Sequence, residues 1–187
     1  MLYDITIYGN EALRRKAQAV PTVDDRVRKL AQDMLETMYA GKGLGLAAEQ
    51  IGRDEHICVI DIPPLPDGEG AGAASERNSK VTMPLVLVNA DIVERDGRQN
   101  GQEGCLSFPE VYVNVERAER IKVTYTSLEN EETTIEADGL LARAIQHELD
   151  HLNGVLLVDH MSPVQKVGVA GKLKRLKKQG KAQGGNS

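Results

Sequence analysis

The stretch Gln146-His147-Glu148-Leu149-Asp150-His151 holds the residue types best able to do chemistry. It reads H-E-x-x-H. Residues four apart share a helix face, so on an α-helix His147 and His151 can hold one metal ion together. Glu148 lies only about 100° round from His147 and is placed to act on a metal-bound water. The chain has four His in 187 residues, and two of them stand in this motif. A chance match on a surface helix is the alternative, and the apolar neighbours oppose it. Catalytic sites of the zinc type use three protein ligands and leave one position open for water. The third ligand must therefore come from elsewhere in the chain.

Two further stretches offer candidates. Residues 103–107 read EGCLS. As a thiolate, Cys105 would be a strong soft ligand; read alone, it is equally a buried free thiol, and that account would be preferred. Residues 43–50 read GLGLAAEQ. Two glycines and two alanines among apolar residues bring backbone close to something. No Gly-Lys-Ser/Thr follows and no strand precedes, which disfavours a phosphate loop. The Gln50 amide could donate to an oxyanion; it could as well lie on the surface of a tight helix–strand junction.

The elements that must position these residues can be read from pattern. Asp138 can cap a helix that Asn153-Gly154 stops. Leu141, Ile145, Leu149 and Leu152 form a core stripe. Leu140, Ala144, His147 and His151 form a second line facing a cavity, leaving Arg143, Gln146 and Asp150 for the third side. A helix with two inward faces is a central helix. Upstream, residues 3–8 suggest a strand and Asn10 a cap for a helix over 11–18. Thr22 and Asp25 resemble a capping box for a helix ending at Gly41, with Val27, Leu30, Ala31, Met34, Leu35 and Met38 at helical spacing. Strands are expected at 57–62, 84–90, 92–100, 111–116, 120–127 and 132–136, with a hairpin turn at 129–131, and a short strand at 155–158. Ser162-Pro163 starts a last helix, and disorder is expected from about Gln179.

A chain of this length fits one domain. We expect a catalytic domain over 1–160, with 63–80 (rich in Pro, Gly, Ala and Ser) as a mobile loop insertion, then a basic helix and tail over 161–187. The net charge of -5 conceals an asymmetry: residues 161–187 carry seven basic residues and no acid, whereas 1–160 carry 16 basic and 28 acidic, a net of -12. No apolar run is long enough to span a bilayer, and MLYDITIYGN lacks the basic and apolar regions of a signal peptide. The expectation is a cytoplasmic protein with no membrane partner and with Cys58 and Cys105 as free thiols, Cys58 being a small core residue.

In this order and spacing, GLGLAAEQ, EGCLS and QHELDH resemble the three motifs of the peptide deformylase family, and the resemblance runs from about residue 5 to about 175. It implies an α+β fold, a central metal-binding helix surrounded by antiparallel β-sheets. It implies a metal held by Cys105, His147 and His151, typically Fe2+, with Zn2+, Ni2+ or Co2+ able to replace it. The implied reaction removes the N-formyl group from the initiator methionine of nascent polypeptides and releases formate. Glu148 carries over as general acid–base, and Gln50 with the Leu106 N–H as oxyanion donors. Gly43, Leu44, Gly45, Gly104, Leu140 and Ala144 carry over as substrate-binding positions. Tyr112, Phe108-Pro109 and Ala142-Arg143 look more like the plant-organelle branch, yet no transit sequence is present, so a bacterial cytoplasm is the first choice. In bacterial relatives a basic C-terminal helix is taken to dock near the ribosomal tunnel exit. Here Val169, Leu173 and Leu176 leave the lysines on the other side, which suits ribosomal RNA phosphate; a solubilising tail fits nearly as well. Two rivals stand. A zinc endopeptidase of metzincin spacing needs a His where Leu157 stands. A closed structural site would recruit Cys58 or His160 as fourth ligand.

Overall fold

The computed structural model describes residues 1–63 and 77–184. It is α+β. The elements are α1 (Asp25–Ala40), β1 (Gly45–Ala47), β2 (Ile57–Ile60), β3 (Leu85–Asp96), β4 (Gln99–Glu103), β5 (Val113–Arg117), β6 (Arg120–Thr126), β7 (Glu132–Asp138), α2 (Gly139–Leu152), α3 (Pro163–Gly168) and α4 (Ala170–Gly184). Five strands form one sheet in the order β1-β2-β3-β6-β7, and β4 and β5 form a second; every pairing is antiparallel.

Strand β2 explains the layering. Its sequence, ICVI, is apolar at every position, as expected for a strand covered on both faces. Cys58 and Ile60 join Leu141, Ile145, Leu149 and Leu152 of α2, whereas Ile57 and Val59 join Val27, Leu30, Met34 and Met38 of α1. The sheet is thus sandwiched between the two long helices. Ile145 and Leu152 are fully buried, and each contributes about 1.5–3 kcal/mol by leaving water. A third cluster gathers Leu13, Phe108, Val111, Leu156 and Leu176. No helix of the described residues is long and apolar enough to cross a membrane.

Several expectations need correction. Asp138 precedes α2 in extended conformation, but its side chain makes no cap bond. Asp24, not Thr22, caps α1, its Oδ1 accepting from Val27 N–H at 2.9 Å. The helix expected at 11–18 is a 3-10 turn over Glu11–Arg14, which Asn10 does cap. The strands expected at 84–90 and 92–100 are largely one, β3, bent by bulges where Asn89 adopts φ +51°. Residues 155–158 form no strand; a 3-10 turn covers Leu157–His160. Strands β1 and β4 carry too little apolar alternation to be read in advance.

The ends of the chain hold each other. Residues 5–8 are extended but belong to no sheet. The N–H groups of Thr6, Ile7 and Tyr8 are still paired, as buried backbone requires. Thr6 donates to Gln50 O at 2.7 Å and Tyr8 to Ser107 O at 3.0 Å. The opposite edge meets Gln183, whose Oε1 accepts from Ile7 N–H at 2.9 Å and whose Nε2 donates to Ile5 O at 3.2 Å. The disorder expected from Gln179 is therefore overturned for 179–184. Helix α4 needs Gly180 there: a Cβ would lie 2.3 Å from Ile7 O. The loop expected over 63–80 falls mostly outside the described residues. Its last part is anchored: Asn78 and the Asp138 backbone exchange two hydrogen bonds, both 3.1 Å.

Candidate metal centre

Helix α2 projects His147, Glu148 and His151 into the space between the two sheets, and the turn after β4 brings Cys105 to them. One ligand atom from each of Cys105, His147 and His151 lies within 4.8 Å of the others, the single group of this kind among the described residues. Cys105 Sγ stands 3.2 Å from His151 Nε2. Burial pushes the Cys105 thiol up, but His151 and His147 outweigh it and bring it down to about 5. A thiolate and two imidazoles are the donor set a divalent metal accepts. The proposed fourth ligands lie elsewhere. Cys58 sits in the β2 core with its thiol pushed up by burial. His160 Nε2 points at Asp150 Oδ2, 2.7 Å away.

Around the candidate ligand His147 lies a network that sequence reading missed. His147 Nδ1 donates to Glu103 Oε2 at 3.0 Å, which leaves Nε2 for a metal. Arg117 grips Glu103 with both Nε and Nη2, each at 2.9 Å, and Arg143 Nη1 adds a third contact at 2.7 Å. Arg143 also donates to Val115 O at 3.0 Å and to Gln99 O at 3.2 Å, so α2 is tied to the two-stranded sheet by polar bonds. The third side of α2, expected to be left over, is thus mostly buried: Arg143 is 6% exposed and Gln146 7%. The signal existed. Arg143 is four residues before His147 and shares its face. Arg117 alternates with Val113 and Val115 on the inward side of β5. Burial works to raise the Glu103 carboxyl, but Arg117 and His147 hold it well below the usual carboxylate range.

In front of the ligands opens a cleft of about 550 Å³. Every residue expected at the site lines it except His151, which lies beneath, buried. Glu148 is buried, and its Oε2 has no hydrogen-bond partner. Burial pushes its carboxyl up to about 7, against His147 and His151. What the backbone approaches at Gly45 is this carboxylate: a Cβ there would lie 2.3 Å from Glu148 Oε1. Gln50 is buried, not on the surface. Its Oε1 accepts from Ala47 N–H at 2.9 Å, which fixes the amide so that Nε2 faces Cys105 Sγ at 3.4 Å and Ser107 Oγ at 3.2 Å. Leu106 fills the space beside Gly43, where a Cβ would lie 2.9 Å from its Cδ1. Leu44, Leu140 and Tyr112 are the exposed apolar residues at the cleft, and the Tyr112 ring covers Gly104. A second buried acid with unpartnered oxygens, Glu49, precedes Gln50; neither of its oxygens has a partner, and burial pushes it up to about 8.

The arrangement matches known proteins throughout. The sequence profile of the polypeptide deformylase family matches residues 2–167. A peptide deformylase of Alkalilimnicola ehrlichii is 43% identical over 184 residues, 98% of this chain and 96% of that protein. The crystal structure of peptide deformylase from Ehrlichia chaffeensis superposes with a TM-score of 0.85 at 33% identity, over 96% of this chain and 98% of that one. A plant peptide deformylase superposes with a TM-score of 0.82 at 30% identity, over 98% and 93%. With a family match over most of its length, full-length relatives and the same fold, this chain belongs to the polypeptide deformylase family of metallohydrolases.

Proposed function

We propose that the chain removes the N-formyl group from the initiator methionine of nascent polypeptides and releases formate. The observation that carries this reading is the convergence, in one cleft, of the Cys105–His147–His151 group with an unpartnered Glu148 oxygen and the fixed Gln50 amide. Cys105, His147 and His151 would hold a divalent ion, which supplies the Lewis acidity that makes water nucleophilic near neutral pH. Glu148 takes the proton of the attacking water and delivers it to the departing amine; a carboxyl raised to about 7 can do both. Gln50 Nε2 and the Leu106 N–H donate to the oxygen of the formyl group as it gains charge, each worth about 10²–10³ in rate. The backbone of Gly45 and Gly104 aligns the peptide as an extended strand, and Leu44, Leu106, Leu140 and Ala144 wall the methionine side chain. The test is formate release from formyl-Met-Ala-Ser against the acetylated peptide. Rapid release from the first alone supports the reading; equal rates, or none with a full complement of metal, would overturn it.

We infer further that Fe2+ is the native ion, replaceable by Zn2+, Ni2+ or Co2+. Cys105 is then an oxidisable thiolate beside ferrous iron. The iron form should lose activity in air and keep it under argon, while the nickel form survives both; equal half-lives for the iron form would count against iron. The working place proposed is the cytoplasm, with the basic α4 docking the enzyme near the ribosomal tunnel exit. Lys174, Lys177, Lys178 and Lys181 are exposed, and contacts of lysine with RNA phosphate weaken steeply with salt. Truncation after Lys172 should lower ribosome co-sedimentation at low salt; undiminished sedimentation would exclude α4 as the docking element.

A further inference from the structure

The network around His147 does not end at Arg117. Arg117 Nη1 donates to Asp150 Oδ2 at 2.5 Å, and His160 Nε2 donates to the same oxygen at 2.7 Å. A continuous line of charge-assisted bonds therefore runs His160–Asp150–Arg117–Glu103–His147. Its inner members, Arg117 and Glu103, have side chains only 5% exposed. Its outer members are a quarter exposed and border a separate cavity of about 460 Å³ that shares no lining residue with the cleft. The short helix over Leu157–His160 fixes the outer end: Asp159 accepts from Leu156 N–H at 2.8 Å and pairs with Arg14, so His160 cannot drift from Asp150.

We propose that His160 is a positioning residue for the metal ligand His147, acting through Asp150, Arg117 and Glu103. Arg117 divides its donors between two carboxylates, one on each side. While His160 satisfies part of Asp150 Oδ2, Asp150 draws less on Arg117, and both remaining guanidinium nitrogens stay on Glu103. A firmly held Glu103 keeps the His147 ring in one orientation with Nε2 toward the metal. Without His160, Asp150 pulls Arg117 outward and Glu103 keeps only Arg143 in full. Partners of this kind are worth roughly 10–100-fold in metal affinity when they touch a ligand directly. Four bonds away, and with Arg143 still in place, the effect should be about threefold to tenfold.

The inference rests on the metal site proposed above, and its test separates the two. The cobalt-loaded parent, His160→Leu and His160→Gln are compared for the rate of metal release to a chelator and for the visible spectrum of the bound cobalt. His160→Leu should release cobalt about threefold to tenfold faster, with a shifted spectrum. His160→Gln, whose amide can still donate to Asp150, should return both toward the parent. In an Asp150→Asn background His160→Leu should add nothing. Release from His160→Leu at the parental rate with an unchanged spectrum would overturn the proposal. So would equal acceleration in the Leu and Gln variants, which would mean loosened packing of the short helix. Should the Leu variant fail to fold, His160→Asn, too short to reach Asp150, gives the same contrast with His160→Gln. A parent that binds no cobalt would overturn the metal site itself.

Discussion

Two buried acids line the cleft beside His147. Glu103 is gripped by Arg117 and Arg143 and accepts from the imidazole. Glu148, as deeply buried, has Oε2 unpartnered and Gly45 backbone against Oε1. One chemical group is thus held in two opposite states in one cleft. At Glu103, guanidinium partners fix the carboxylate as a charge that orients the ring. At Glu148, burial without partners leaves a carboxyl that can gain or lose a proton near neutral pH. The lesson is that burial alone does not decide what an acid does; its hydrogen-bond partners decide. A paired carboxylate is structure, and an unpaired one beside a cleft is chemistry.

Exchanging the two roles should produce the largest effect. Glu148→Ala removes proton transfer at both ends of the reaction, so activity on a formyl peptide should fall by about 10²–10⁴-fold or more while the fold and the metal content stay near parental. Activity within tenfold of the parent would break the comparison. Glu103→Gln keeps the volume but strips the charge that faces two buried guanidiniums. It should cost roughly 3–5 kcal/mol of stability, read as a lower denaturant midpoint, and metal should leave faster. A Glu103 variant as stable as the parent, with metal held as tightly, would mean the guanidinium network is ornamental.

Glu49 sharpens the contrast, because it is buried and unpaired like Glu148 yet does not line the cleft. Burial raises its carboxyl from 4.5 to about 8. Between these values the folded chain holds a proton that the unfolded chain has released, so stability is fully present below pH 4.5 and declines as pH rises toward 8. Glu49→Gln should abolish that part of the decline. Across this window the parent should lose about 1.4 kcal/mol per pH unit relative to the variant, a limit reached only while Glu49 stays fully protonated. Parallel stability profiles for the two proteins would show that Glu49 is ionised or solvated in the native state. The smallest effect is expected from a stretch that holds none of the motif residues. Removing residues 64–76 while keeping the Asn78 anchor on Asp138 should leave turnover of a formyl peptide within about twofold, because the cost of closing a chain segment grows only slowly with its length. A large loss with the fold intact would bring that segment to the cleft.

Much of this arrangement was legible in the sequence, and the division follows physical lines. Apolar periodicity gave α1 and α2 with their core stripes, and the H-E-x-x-H spacing placed two imidazoles on one face. What resisted were elements held by polar bonds. Strand β4, QNGQE, has no apolar face because Arg143 reaches over its glycine, where a Cβ would sit 3.0 Å from the guanidinium carbon. The 5–8 segment looked like a strand because its alternation is that of one; its partners turned out to be Gln50, Ser107 and a glutamine side chain. The third side of α2 was misjudged because Arg143 and Gln146 read as surface residues; the buried acid Glu103 makes the first interior and the Ala118 backbone the second. Such matched polar pairs are set by tertiary partners, and periodicity does not register them.

The clasp between Gln183 and residues 5–7 has a consequence for the order in which the molecule is made. Its two hydrogen bonds join positions 176 and 178 residues apart. From the same segment the Thr6 and Tyr8 N–H groups donate to the carbonyls of Gln50 and Ser107. Residues 5–7 therefore cannot take their final place until Gln183 has been added. While the intervening chain is being made, the supports of Gln50 and Ser107 have one free edge, and the arrangement closes only once Gln183 has emerged.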